Sequence, residues 1–194
     1  MSSAVDIYNQ ALLMIGENPI VNFDSTDDAT NAQKVGAIMY GPIKEQVLRS
    51  YPWRSAYKQA TLAQLADKPI DPQWDFAFAW PEDALRIVGL VSTDYPHREV
   101  ITWEVQGRTI LTRSQSSVVA RYIYDVPEPQ MDALLEEALA AKLAMDICYT
   151  FNASPERYGQ LSNMFAAKLS EARTVDRQEG SHKTFRTDQL TAVR

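Results

Sequence analysis

The chain is 194 residues long, 45% hydrophobic and 23% charged, a balance that suits one soluble globular domain, alone or carrying a sizeable insertion. A formal net charge of -6 and a pI near 5.0 argue against a protein whose main task is gripping nucleic acid, since such proteins cluster lysine and arginine against phosphates; a wall past which DNA slides stays compatible. No apolar run approaches the roughly 20 residues that span a bilayer, and Met1–Asp6 lacks a basic stretch followed by an apolar one, so neither a membrane span nor a secretory signal is expected and synthesis in a cytoplasm is.

The first predicted element is a helix from Ser3 to Ile15. Ala4, Tyr8, Ala11, Leu12 and Ile15 fall on one face, Ser2 or Ser3 can cap its start, and Gly16 stands where a helix ends. The loop Glu17 to Phe23 follows, its apolar members expected to tuck onto the helices. Asp27 or Asp28 is expected to cap a second helix reaching Ser50, with Ala32, Val35, Met39, Ile43 and Val47 inward. Gly41-Pro42 predicts a kink or break there, and Tyr51-Pro52 stops the helix.

From Trp53 to about Val126 the period changes. Runs at 74–80, 86–91, 100–105, 109–112 and 118–124 are rich in β-branched and aromatic residues and predict strands, with a tight hairpin at Gln106-Gly107. Trp74, Phe76, Phe78 and Trp80 read as one face of the first. Helices then resume. Pro129 suits a first turn, and Met131, Leu135, Leu139, Leu143 and Ile147 form a ridge joined by Leu134 and Ala138. Ser154-Pro155-Glu156 opens the next helix, striped by Tyr158, Leu161, Phe165, Leu169 and Ala172. Ala138, Ala140, Ala141, Ala144, Ala166 and Ala167 are expected to let these two helices approach closely.

The pattern predicts an α+β fold: an antiparallel four-helix-type bundle from residues 1–52 and 127–179, a small antiparallel β domain inserted at 53–126, and a C-terminal arm at 180–194. The polar arm carries isolated Phe185, Leu190 and Val193. It reads either as a frayed tail or as a segment that orders on a partner, with a reach of about 45–50 Å when extended.

Little in the sequence suggests chemistry. There is no glycine-rich phosphate loop, CxxC pair, HExxH or GxSxG, and no catalytic, cofactor or metal residue is assigned. The single cysteine, Cys148, lies in an apolar helical run and reads as core; with only His97 and His182 beside it in composition, a zinc site is not expected. Glu136 and Glu137 are adjacent on a helix and point apart. Asp75, Glu82 and Asp83 mix with Trp74 and Trp80 as a glycan-cleaving site would, but a strand and its exit turn are the stronger reading. Arg49, Arg54 and Lys58 near Trp53 read as subunit contacts or a solvated face rather than a nucleic-acid stripe.

Five phrases, in order, resemble the tail tubular protein A family of short-tailed bacteriophages. Ala11 to Ile20 resembles that family's "IGE-x-P-V" opening, Asn31-Ala32 its next landmark, and Val47 to Trp53 its helix exit. Phe78 to Arg86 is similar to its "LPxDxLR" phrase. Tyr122 to Pro127, followed by Glu137 to Ala144, looks like its return into the helices. The resemblance spans about residues 4–178 and does not reach the arm. It implies a non-enzymatic, virion-located head-to-tail connector: a homo-oligomeric ring, typically a dodecamer, between portal protein and tail nozzle, with DNA passing transiently through its lumen. In related connectors the C-terminal arm reaches toward the portal, which would make Phe185, Leu190 and Val193 its anchors. A ring needs head-to-tail contacts between unlike surfaces, and Ile20, Val21 and Phe23 are the expected contact. The rival readings are a tail-associated glycan hydrolase acting through Asp75, Glu82 or Asp83, and a helical interaction module unrelated to phage.

Overall fold

The computed structural model describes residues 2–92, 101–113, 118–151 and 154–179. It holds four α-helices and two small antiparallel sheets: α1 (Ala4–Ile15), α2 (Asn31–Ser50), β1 (Tyr57–Thr61), β2 (Phe76–Ala79), β3 (Ala84–Ser92), β4 (Trp103–Gln106), β5 (Thr109–Thr112), β6 (Val118–Tyr124), α3 (Ala133–Ile147) and α4 (Pro155–Gln178). All six strands lie between α2 and α3, where the change of period placed them.

Local chemistry sets the helix ends. Ser3 and Asp6 form a reciprocal capping box on α1, and Gly16, at φ 87°, closes it in the left-handed conformation that glycine adopts without a Cβ penalty. The cap of α2 is Thr30, boxed with Gln33, rather than Asp27 or Asp28. Asp24 instead accepts the Thr26 N–H at 2.9 Å, so this acidic stretch forms a turn before the helix. The helix then runs unbroken through Pro42. Two features permit this. Gly41 has no Cβ to meet the proline ring, and Pro42 and Ile38, whose carbonyl loses its donor, sit on the solvent side. The buried face of α2 also differs from the expected stripe. It centres on Gly36, Tyr40, Ile43, Lys44, Val47 and Leu48, while Ala32, Val35 and Met39 are only half-buried.

Helix α3 begins at Ala133 with Asp132 as its cap, so Pro129 belongs to a separate 3₁₀ turn, Glu128–Gln130. Nine of its residues are buried, on every side, which makes it the central helix: α1, α2 and α4 all pack against it. Ala138, Ala140, Ala141 and Ala144 are fully buried and allow close approach, whereas Ala166 and Ala167 of α4 are exposed and take no part. The helical core closes around Tyr8, Leu12, Ile43, Leu48, Trp53, Leu135, Leu139 and Leu143.

The strands form two three-stranded antiparallel sheets, ordered β1-β6-β3 and β2-β5-β4. The polar strand β1, Tyr57–Thr61, is absent from the sequence-based expectation and pairs along β6 from Tyr57↔Ile123 to Thr61↔Val119. The β4–β5 hairpin turns at Gly107, φ 61°, with Gln106 opposite Thr109. Phe78 and Ile110 from one sheet meet Ile87, Leu90, Val118, Ala120 and Tyr122 from the other in one shared core. Trp74 lies before β2 and buries on the opposite side, with Ala77 and Leu111, so the expected single aromatic face is broken.

Candidate functional site

The loop between α1 and α2 carries the three residues proposed as a contact, and the structure gives them different environments. Asn9, on the side of α1, grips the loop: its amide donates to the Ile20 carbonyl at 2.9 Å and its Oδ1 accepts the Ile20 N–H at 2.8 Å. This holds Ile20 half-buried. Phe23 points inward, its ring 5.5 Å from Tyr8 and 5.4 Å from Tyr40, over Gly36. A Cβ at Gly36 would lie 2.6 Å from the Phe23 ring, so Phe23 seats because that position is glycine. Val21, between them, projects into solvent with 93% of its surface exposed. The loop is therefore a pinned ridge with one free apolar residue.

Two large apolar residues of α1 and α2 are likewise uncovered, Leu13 at 63% and Ile38 at 67% exposure. Neither lies on the stripes predicted for α1 and α2, and that departure from periodicity was the signal available in the sequence. Leu13 borders an open groove of about 500 Å³ with Met14, Ala133, Glu136, Glu137 and Lys168. The two glutamates point apart, as helix geometry requires. Glu136 accepts the Ser2 hydroxyl at 2.6 Å, and Glu137 pairs with Lys168 at 2.5 Å.

The acid and aromatic cluster has a structural arrangement. Asp83 pairs with Lys58 at 2.7 Å and accepts the Tyr122 hydroxyl at 3.0 Å. The Lys58 bond holds its carboxyl below the usual carboxylate range, the reverse of the raised acid that protonates a glycosidic oxygen. Trp80 donates its indole N–H to the Ala84 carbonyl at 2.9 Å and fixes the turn into β3. Asp75 and Glu82 are exposed.

The basic residues near Trp53 are likewise engaged. Arg49 donates to the Leu85 carbonyl, and Arg86 returns a bond to the Arg49 carbonyl at 2.9 Å. Arg54 donates its backbone N–H to Asp176 Oδ1 at 2.8 Å and its Nε to the Asp176 carbonyl at 2.7 Å. Lys58 is taken by Asp83. These bonds tie the end of α2 to β3 and to α4. Trp53, 1% exposed, donates its indole N–H to the Val47 carbonyl at 3.0 Å and plugs the same joint.

A further joint was not anticipated. Lys44 is buried in α2 and reaches Asp125 at 2.7 Å and Glu128 at 3.0 Å, while the Tyr40 hydroxyl donates to Glu128 at 3.2 Å. Burial pushes the Glu128 carboxyl up, but bonds from its own backbone, Lys44 and Tyr40 outweigh this and hold it below the usual range. The cluster clamps the segment between β6 and α3 onto α2.

Cys148 is buried, its thiol donating to the Met145 carbonyl at 3.1 Å, and burial raises its pKa. Among the described residues no three histidines, cysteines or acids gather as a metal site, and no helix is long and apolar enough to cross a membrane. His97, His182 and the proposed arm anchors Phe185, Leu190 and Val193 lie outside the described residues. No protein-family model matches this chain, and no curated protein matches it significantly.

Proposed function

We propose that this chain is a structural head-to-tail adaptor of a short-tailed phage or prophage, assembled as a homo-oligomeric ring between portal and tail nozzle, with DNA passing through the lumen. In this reading residues 1–52 and 127–179 act as one helical bundle domain, 53–126 as an inserted docking domain, and 180–194 as an arm toward the portal. The protein performs no chemistry and resides in the virion tail.

One observation carries the reading. The five phrases that resemble the tail tubular protein A family fall, in order, at the joints of the fold. Gly16 to Ile20 makes the α1 cap and the loop that Asn9 pins. Ala32 accepts the Tyr8 hydroxyl at 3.0 Å where α2 begins. Val47 to Trp53 closes α2 on its own indole hydrogen bond. Asp83 and Arg86 fix the start of β3 against Lys58 and the α2 carbonyl of Arg49. Tyr122 to Pro127 leads from β6 through the Lys44 clamp toward α3. Residues that resemble a family at its joints, rather than along generic apolar stripes, carry information about how elements are set against one another.

A ring also needs two unlike surfaces on each subunit, and the helical and β parts supply them, with Leu13, Val21 and Ile38 as apolar residues that a neighbour would cover. The test is mixing with purified portal protein of a short-tailed phage, followed by negative-stain microscopy and mass photometry. A ring stacked on the portal supports the reading; a chain that never associates with the portal refutes it.

A further inference from the structure

Where the end of α2 meets β6 and the last turns of α4, two guanidinium groups flank Tyr51 and two more line the cleft beside it. Arg173 and Arg177 both lie 5.6 Å from the Tyr51 ring centre. Arg177 donates its Nε to the Tyr51 hydroxyl at 3.2 Å, and Arg173 donates to the Ser50 hydroxyl at 3.3 Å. Arg54 and Arg121 complete the group, and with Tyr51, Tyr57, Asp176 and Arg177 they line an open cleft of about 570 Å³.

What distinguishes this cluster is the lack of a close ion pair to any of its guanidinium groups. Among the described residues none of the four guanidinium groups lies within 4.0 Å of a carboxylate, although the chain as a whole carries a net charge of -6. The one acid at the cleft, Asp176, spends Oδ1 on the Arg54 backbone N–H, and burial raises its pKa against the opposing pull of that bond and of the Arg54 charge. The Nε of Arg121, which lines the cleft, is buried and meets no hydrogen-bond acceptor among the described residues. Buried donors are ordinarily satisfied, and like charges at close quarters repel unless something negative enters. Nothing else in the described residues concentrates unpaired cations in this way.

The geometry points to an anion site: the cleft binds a terminal phosphate group of a small molecule, held by Arg121, Arg54 and Arg177. A guanidinium presents a planar fork that meets a phosphate two oxygens at a time, which a lysine cannot do. The volume falls within the about 300–1,000 Å³ of small-molecule sites and leaves room for the body that carries the phosphate. Tyr57, Pro52 and Val88 give that body an apolar wall. The arginines gather round one cleft instead of following a stripe, and the overall charge is negative, so a terminal phosphate fits better than a nucleic-acid backbone. The inference stands independently of the adaptor reading.

The test uses the full chain at constant ionic strength, titrated by calorimetry and thermal shift with pyrophosphate, inorganic phosphate, citrate and a single-stranded oligonucleotide of about ten nucleotides. Pyrophosphate is expected to bind saturably and raise the melting temperature more than citrate does. Arg121→Gln and Arg177→Gln are each expected to weaken binding at least about tenfold, while Arg157→Gln, remote on α4, leaves it unchanged. Arg121 lies in a central strand, so circular dichroism is read first; if that variant does not fold, Arg177→Gln, on an exposed helix position, decides. The site is refuted if pyrophosphate fails to bind at millimolar concentration, or binds folded Arg177→Gln as it binds the unaltered chain. Tighter binding of the oligonucleotide than of pyrophosphate, with steep salt dependence, overturns the terminal-phosphate assignment.

Discussion

Gly36 shows how a single position can decide whether a loop belongs to the core. Its missing Cβ is the space that the Phe23 ring fills, with the Tyr8 ring 2.9 Å from where that carbon would be. Gly36→Ala would ordinarily favour a helix. Here it is expected to destabilise by about 1–3 kcal/mol, the range for overfilling a packed site, measured by urea unfolding. The same geometry separates the residues of the first loop. Val21→Asp is expected to leave stability within about 0.5 kcal/mol and to weaken ring assembly on the portal. Phe23→Ala is expected to cost toward the lower end of about 3–5 kcal/mol. If Val21→Asp assembles as well as the unaltered chain, Val21 is not at the subunit contact.

The sequence did not separate these three, because Ile20, Val21 and Phe23 are equally apolar. What sorts them is Asn9, whose amide turns Ile20 in, and a glycine one helix away. Residue chemistry was more legible where the signal was local. Ser3, Gly16, Ser154 and Pro155 mark helix ends by themselves, and the thiol of Cys148 is buried where an apolar run placed it.

Among the elements, α2 carries the most instructive departures. Its proline predicted a kink or a break, yet Gly41 before it and the solvent-side position of Ile38 let the helix continue without a break. Nothing local in the sequence singles out Lys44, because its partners, Asp125 and Glu128, follow the last strand. Strand β1 escaped notice for a related reason: an edge strand needs no alternating apolar residues when β6 supplies the pairing. Long-range pairing of this kind leaves no periodic mark.

The Lys44 clamp makes two predictions at this scale. Lys44→Ala strands a partly buried carboxylate and is expected to cost about 3 kcal/mol, with part of the loss recovered when Glu128→Gln is added. The folded pKa of Glu128 lies below its unfolded value, so its contribution is present above the ordinary carboxylate pKa and is lost as pH falls through the folded one. Urea midpoints measured from pH 7 to pH 3 should therefore fall less steeply for Glu128→Gln than for the unaltered chain. Parallel curves would mean that the clamp stores no pH-dependent stability.

The whole molecule couples a helical core and a β core through the apolar packing of Ile123, Leu85 and Val88 against the helices and through polar ties: Arg49 with Leu85, Arg86 with Arg49, and Lys44 with Asp125 and Glu128. The α-then-β-then-α order was legible from the change of hydrophobic period. The division of the strands into two sheets was not, since only pairing partners distinguish β3 and β6 from β2 and β5.

Microscopy of the purified chain mixed with portal protein of a short-tailed phage tests the adaptor reading most directly. The account predicts a closed ring seated under the portal, lost when Val21 is made acidic while the subunit stays folded. Particles of bare portal alone, at concentrations where both proteins are soluble and folded, would contradict it.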